Sequence, residues 1–387
     1  MFKLKSKKEV LNIKIAKIYG IDIKLHLSTL LIIGLVGFYS TSFYLSLVPE
    51  APLIDLIFVG LINGLILLFS ILIHELSHSL VAQKYGLKVK EIELYLFGGV
   101  SKIEEEPRTP KSEMIISIVG PLSSLVIGLG LLALFFLPIN IPSIMSVTFL
   151  YSGISNIGLS IFNLFPAFPI DGGRILRAFL WKRRNDLLSA TKTASKIGTI
   201  IGYGFMIYGV FQMFTAGFLS GFWLILMGSF LNSSAKQSYV QTKNDVILSN
   251  IGVKDILSVP YMGIPINTSL NAALSKFFIP YKKSYFPVIQ NDEIVGIIHF
   301  QEIRKIPLWQ RSEYNVGYLM RKLSEFQFIN DDLSGKEVLK KLNNLKEDPL
   351  LLIVEEKDSK ELIGFVGKSD LLSSLKFWSL QMNNKQN

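Results

Sequence analysis

The chain has 387 residues, half of them apolar, with 40 Lys and Arg against 30 Asp and Glu, four His and no Cys. That composition excludes an ordinary soluble domain and leaves room for a membrane domain plus a soluble one. The lack of Cys excludes a disulfide framework, thiolate catalysis and thiolate metal sites, and the net charge of +10 sits in clusters between apolar runs, which reads as membrane topology rather than nucleic-acid binding.

Lys3, Lys5, Lys7 and Lys8 open the chain. No short apolar core with a small-residue cleavage site follows them, so no cleavable secretory signal is expected. Ile21, Ile23 and Leu25 alternate with Asp22 and Lys24, the pattern of a strand, and His26 falls where that strand meets the membrane. Apolar runs long enough to cross a bilayer then occupy residues 27–48 and 56–82, the second carrying His74, Glu75 and His78 in its last third. Residues 91–97 alternate as a second strand before the pair Gly98-Gly99, which marks a turn or a close backbone approach. Non-helical backbone beside a membrane needs protein or water around it, so both strands are expected to line a working cavity. Further spans are expected at 114–137 and 143–168. The uncharged stretch 197–235 is too long for one, and residues 216–221 supply a turn that divides it into two. The total is six spans. Lys84, Lys88, Lys90, Lys102, Arg108 and Lys111 fill the second connection, and Lys182, Arg183, Arg184, Lys192 and Lys196 the fourth, while the odd connections hold no Lys or Arg. The positive-inside rule then predicts that both termini are cytoplasmic.

The expected domains are a membrane domain over 1–238, a linker over 239–250, and two repeats over 251–308 and 312–376. Each repeat carries a helical stretch (270–278; 336–342), an apolar strand (285–289; 350–354), a turn, a second strand and a closing helix. This duplicated unit resembles a tandem CBS pair, the regulatory module named after cystathionine β-synthase. Many such pairs bind adenine nucleotides through a Gly, a Ser or Thr three residues on, and an Asp three further. The second repeat has Gly364, Gly367 and Asp370 at these places, and the first has Gly296, His299 and Glu302. Both depart from the pattern, so two readings stand: a nucleotide site using Asp370 and Glu302, or a module for homodimerisation or docking.

His74-Glu75-Leu76-Ser77-His78 carries the chemistry. Residues four apart share one helix face, so both imidazoles reach one metal ion, with Glu75 beside them as general base. Ionisable side chains inside a span are expensive and point to function. A catalytic zinc needs a third protein ligand, and Asp171 offers it at the end of the fourth run. Pro166 and Pro169 interrupt the helix before it, and Gly172 and Gly173 permit an unusual turn after it.

The combination resembles the site-2 protease family of intramembrane zinc metalloproteases, over about residues 11–184. The family has a zinc-binding motif on one span and an Asn-Pro-Asp-Gly segment on a later one, here Asn163-Leu164-Phe165-Pro166-Ala167-Phe168-Pro169-Ile170-Asp171-Gly172. The resemblance implies an α-helical polytopic membrane domain with short β-strands near the site, followed by the α/β tandem CBS pair. It implies one zinc per chain on His74, His78 and Asp171, catalysis by Glu75, and Asn163 contacting substrate backbone or helping the transition state. Gly98-Gly99 and Gly120-Pro121 are similar to the family's glycine pair and third span. The CBS tail resembles a subgroup with a cytoplasmic regulatory tail, and no PDZ insertion is evident. The implied substrates are single-span membrane proteins in lipid, with no nucleic-acid partner. A strand at Leu94, Tyr95, Leu96 and Phe97 is expected to pair with the unwound substrate. Two other classes were weighed. A CBS-gated transporter needs no Glu beside two helically spaced His and would show an inverted repeat, which is not apparent. An inactive relative would not keep the full His, Glu, His, Asp set.

Overall fold

A computed structural model describes residues 12–95, 98–103, 106–138, 141–215, 217–257, 262–345, 351–359 and 361–384. The chain forms two compact units, 1–240 and 241–387.

In the first unit, helices α1 (Thr29–Leu47), α2 (Leu53–Lys84), α3 (Pro110–Phe135), α4 (Ser143–Asn163), α5 (Asp171–Arg184), α6 (Leu187–Thr215) and α7 (Phe218–Asn250) follow one another. All but α5 are long and apolar enough to cross a membrane, giving six spans among the described residues. The fourth helix stops at Asn163 rather than running on to 168, because Pro166 and Pro169 cannot continue the backbone ladder. The division between the last two spans is tight: α6 ends at Thr215 and α7 begins at Phe218, with Gly217 at φ +101° between them.

Local chemistry fixes the ends that matter for the site. Helix α2 closes at Gly86 (φ +79°), where Leu87 N donates back to Ala82 O and Gly86 N to Gln83 O. Helix α3 opens on a capping box between Thr109 and Ser112, with Pro110 in the first turn.

A four-stranded sheet joins the helices, in the order β1 (Asn12–Ile18), β2 (Ile21–His26), β3 (Val89–Tyr95) and β4 (Gly98–Ile103). Strands β2 and β3 run parallel, while β1–β2 and β3–β4 are antiparallel hairpins. Its buried face (Ile21, Ile23, Ile92, Leu94) packs on Ile71 and Ala82 of α2 and Ile116 of α3. The other face of the sheet gathers charge: Lys102 donates to Glu91 (2.6 Å) and Glu93 (2.7 Å), and Lys24 also pairs with Glu91. Burial pushes the Glu91 carboxyl up, but the hydrogen bonds from Lys102 and Lys24 outweigh it and bring it to about 2. The carboxylate therefore stays ionised wherever a zinc site is deprotonated enough to load.

The sheet corrects one expectation. Strand β3 is bonded on both sides, Leu94 to Leu25 of β2 and to Gly99 of β4, and Tyr95 to Gly98. Leu94 is buried and its carbonyl accepts from Thr29 Oγ1 (2.7 Å). Leu94 thus has no free edge for an added strand, Tyr95 is paired with Gly98 on its β4 side, and Leu96 and Phe97 lie outside the described residues. The edge beside the glycine pair belongs to β4.

The second unit has a sheet of β5 (Ile264–Pro265), β6 (Tyr285–Gln290), β7 (Glu293–His299) and β8 (Arg321–Lys322), and another of β9 (Gln327–Asn330), β10 (Leu351–Glu355) and β11 (Leu362–Gly367) in the order β11-β10-β9. The hairpins β6–β7 and β10–β11 are equivalent halves of the duplication, each flanked by a parallel strand. Ile297 of the first packs with Leu351, Ile353 and Phe365 of the second. Residues 239–250, expected as a linker, are helical throughout as the end of α7. Ile247 and Leu248 there join the core around Val338, Leu352 and Val366. Apolar side chains at helical spacing that find a core to enter do not behave as a linker.

Candidate metal centre and active site

His74 and His78 lie one turn apart on α2 and meet Asp171, the first residue of α5. Asp171 Oδ2 lies 3.0 Å from His74 Nε2 and 3.1 Å from His78 Nε2, and the two Nε2 atoms are 3.2 Å apart. Both imidazoles are buried, and the Asp171 side chain is 12% exposed.

The far side of each ring is held by α3. His78 Nδ1 lies 2.6 Å from Ile116 O, an atom that can only accept, so Nδ1 carries the proton and Nε2 presents its lone pair. His74 Nδ1 lies 2.9 Å from Ser124 Oγ, which fixes its plane. A carboxylate oxygen and imidazole lone pairs aimed at one point repel one another unless a cation sits between them. The donor set suits zinc, and ring nitrogens anchored on their outer side are how proteins orient such ligands. His74, His78 and Asp171 form the one such cluster of candidate metal ligands found among the described residues.

Glycines make the convergence fit. A Cβ on Gly120 would stand 2.1 Å from His78 Nε2 and 2.7 Å from His74 Nε2. At Gly172 it would meet Leu164 O at 2.2 Å, and at Gly173 Phe168 N at 2.1 Å, so the Pro-rich loop lies directly on the first turn of α5 and aims Asp171 at α2. Gly198 of α6 backs the same loop, its absent side chain leaving room for Phe168 O.

Glu75 is half-buried and turns toward β4. Its Oε2 accepts from Ser101 Oγ (2.8 Å), and Ser79 Oγ donates in turn to Ser101 Oγ (3.1 Å). Gly99 lies so close that a Cβ there would be 2.2 Å from Glu75 Cγ. Ser101 leaves Oε1 of Glu75 for a reacting proton. Ser101→Ala is expected to lower turnover roughly 10-fold, with zinc content unchanged, and Ser101→Thr to restore it; steady-state kinetics and metal analysis check this.

His74, Glu75 and Asn163 line part of a cavity of about 610 Å³. The rest of its wall is apolar, from α1 (Leu31, Val36), α4 (Leu159, Phe162) and α7 (Phe222, Trp223), with Gly98 and Gly99 of β4 on its border. Asn163 Nδ2 donates to Leu159 O (2.9 Å), so one amide hydrogen and the carbonyl remain for another partner. Neither Leu94 nor Tyr95 borders the cavity; the Tyr95 hydroxyl is spent on Glu93 and its ring lies against His26.

The two histidines were legible from spacing and Asp171 from the prolines and glycines around it, but their supports were not. Ser101, Ser124 and the Ile116 carbonyl belong to no motif, and only the glycines at 99 and 120 hinted at close approach. In the second unit, Asp370 Oδ2 accepts from Gly367 N (2.8 Å) and from the Tyr285 hydroxyl (2.6 Å). Glu302 pairs with Lys305, and His299 Nδ1 caps the following helix at Gln301 N (3.1 Å).

Comparison with known proteins agrees with this geometry. Residues 63–144 and 138–209 match the model for peptidase family M50, and residues 253–308 match the CBS domain. A zinc metalloprotease of Methanocaldococcus jannaschii is 32% identical over 378 residues, covering 96% of this chain and 98% of its own. Stage IV sporulation protein FB of Bacillus subtilis is 34% identical over 124 residues, 30% of this chain and 42% of that protein. The solved structure of the site-2 protease from Methanocaldococcus jannaschii has 35% identity, covers 58% of this chain and 94% of its own, and gives a TM-score of 0.42. With a relative of that identity matched along nearly the whole of both chains, this protein belongs to peptidase family M50, as a multi-pass membrane zinc metalloendopeptidase of the site-2 protease type with a C-terminal CBS pair.

Proposed function

We propose that the enzyme cuts peptide bonds in or near the transmembrane segments of single-span membrane proteins, and that both termini and the CBS pair are cytoplasmic. The observation that carries the substrate class is the cavity: a mostly apolar chamber between spans whose lining also includes His74, Glu75 and Asn163. A helix-shaped apolar guest matches such walls. The basic residues ending α5 and following α2 supply the orientation.

Zinc held by His74, His78 and Asp171 would supply a water of lowered pKa and a Lewis acid for the scissile carbonyl. Glu75 accepts the proton from that water at Oε1, while Ser101 holds Oε2, and delivers it to the leaving nitrogen. The remaining amide hydrogen of Asn163 donates to the substrate backbone or to the developing oxyanion. His78 keeps its Nδ1 proton on Ile116 O throughout, which holds its Nε2 a ligand rather than an acid.

A transmembrane helix hides its peptide bonds in its own hydrogen-bond ladder and must unwind to be cut. Strand β4 has β3 on one side only and its glycines border the cavity, so it is the edge suited to receive the unwound segment. The lack of native Cys makes this testable. In a Glu75→Gln background, Lys102→Cys on β4 is expected to form a disulfide with a Cys placed near the scissile bond. Lys14→Cys on the opposite edge strand should not. Equal crosslinking at both, seen on non-reducing gels, would remove the β4 assignment. The CBS pair is proposed as a regulatory tail, with adenine nucleotide at Asp370 as its candidate signal; a nucleotide-dependent change in cleavage tests it.

A further inference from the structure

A second pair of charges, outside the metal centre and absent from any motif, sits beneath it. Arg177 of α5 and Glu113 of α3 are 4% and 1% exposed. Arg177 Nε and Nη2 both donate to Glu113 Oε1, at 2.6 and 2.5 Å, and Glu106 Oε2 lies 3.7 Å from Nη1. The guanidinium also covers the Phe168 ring, 4.9 Å from its centroid. Glu113 Oε2 is buried with no hydrogen-bond partner.

As a stabilising device this is poor. Two charges have been taken out of water, one acceptor is unsatisfied, and apolar residues of similar volume would serve the fold at least as well. Its location supplies the reason for it. Glu113 lies one turn before Ile116, whose carbonyl holds His78, and on the same helix as Ser124, which faces His74. Arg177 lies on the helix that begins with Asp171, and its stacked partner Phe168 belongs to the loop that aims that residue. The pair therefore joins the helix that orients both histidines to the helix that supplies the carboxylate.

We propose that Glu113 and Arg177 are positioning residues that set the separation between the histidine pair and Asp171, and so tune zinc affinity. Two charge-assisted hydrogen bonds converging on the one oxygen Oε1 restrict distance and angle more than apolar packing does, and metal affinity is sensitive to how its ligands are held. The inference rests on zinc binding by His74, His78 and Asp171.

The test separates positioning from stability. Full-length protein in detergent is stripped of metal; its thermal midpoint is measured, and its zinc dissociation constant is found by chelator competition. Arg177→Met leaves Glu113 buried and unpaired, and should lower the apo midpoint. The Glu113→Met/Arg177→Met double variant should regain a native or higher apo midpoint yet bind zinc about 10–100-fold more weakly than the native chain. Recovery of native zinc affinity together with the midpoint would make the pair merely structural and overturn the proposal. Glu113→Asp keeps the charges and shortens the arm by one methylene, which covers the case of a double variant that does not fold. Weakened zinc binding supports positioning, and native affinity overturns it. Native protein that binds no stoichiometric zinc would instead overturn the metal assignment, a result distinct from either.

Discussion

Glu75→Gln is expected to keep one zinc per chain and to lose cleavage by about 10²–10⁴-fold. Glu75 is not one of the clustered ligands His74, His78 and Asp171; Ser101 holds its Oε2 and leaves Oε1 for the reacting proton. The amide is nearly isosteric, and its oxygen can still accept from the Ser101 hydroxyl, so neither the site nor the cradle of Gly99 is disturbed. What disappears is the ability to take and return a proton. Metal analysis beside cleavage of a panel of single-span substrates in detergent reads both halves of this result. A variant that loses zinc along with activity would show Glu75 to be part of the metal shell. One that cleaves at the native rate would remove it from the reaction and bring a transport or binding role forward.

Gly120→Ala is expected to abolish high-affinity zinc binding, weakening it on the order of 100-fold or more, through one added methyl group. The methyl would overlap His78 Nε2 at 2.1 Å and His74 Nε2 at 2.7 Å. Relief by rotating the rings breaks the bonds that orient them, since His78 is tied to Ile116 O and His74 to Ser124 Oγ, both on the same helix as the methyl. Relief by shifting α3 is opposed at the next residue, where Pro121 O accepts from Ser160 Oγ of α4 (2.8 Å). Gly130→Ala is the control. It lies on the same helix with open space around it, and should leave zinc binding and cleavage unchanged. Chelator competition on the two variants decides the matter, and native affinity in Gly120→Ala would mean the rings have more freedom than their outer contacts imply.

Much of this protein was legible in its sequence because membranes impose simple rules. Spans need length and few charges, and connections on one side collect Lys and Arg, so the number of spans and their approximate places could be read directly, though the fourth stops at Asn163. The pentapeptide on α2 declared its chemistry by helical spacing alone. Asp171 is a different case. It lies 97 residues from His74, and a lone Asp at a helix end reads as a cap; Pro166, Pro169, Gly172 and Gly173 around it, in a chain that already carries the histidine motif, singled it out, and the family resemblance agreed. Strand β1 escaped because two of its isoleucines face outward: Ile13 is 63% and Ile15 49% exposed, so its apolar residues do not mark a core face. The role given to Leu94 and Tyr95 failed for a reason that sequence hides. Alternation identifies a strand but does not say whether its neighbours leave it an edge, and β2, drawn from before the first span, fills that place. Glu113 and Arg177 read as ordinary charges beside apolar runs until 64 residues of chain brought them together.

The Pro-rich loop, with Asp171 at its end and Gly198 behind it, also gives the enzyme an order of assembly. During synthesis the histidines leave the ribosome first, and the carboxylate follows 97 residues later, about 5–20 s at ordinary elongation rates. The helix that backs the loop is later still. A nascent chain with α2 and α3 already in the bilayer thus carries two of the three candidate zinc ligands. The centre is complete only once its last ligand, carried past α3 and α4, has folded against α2.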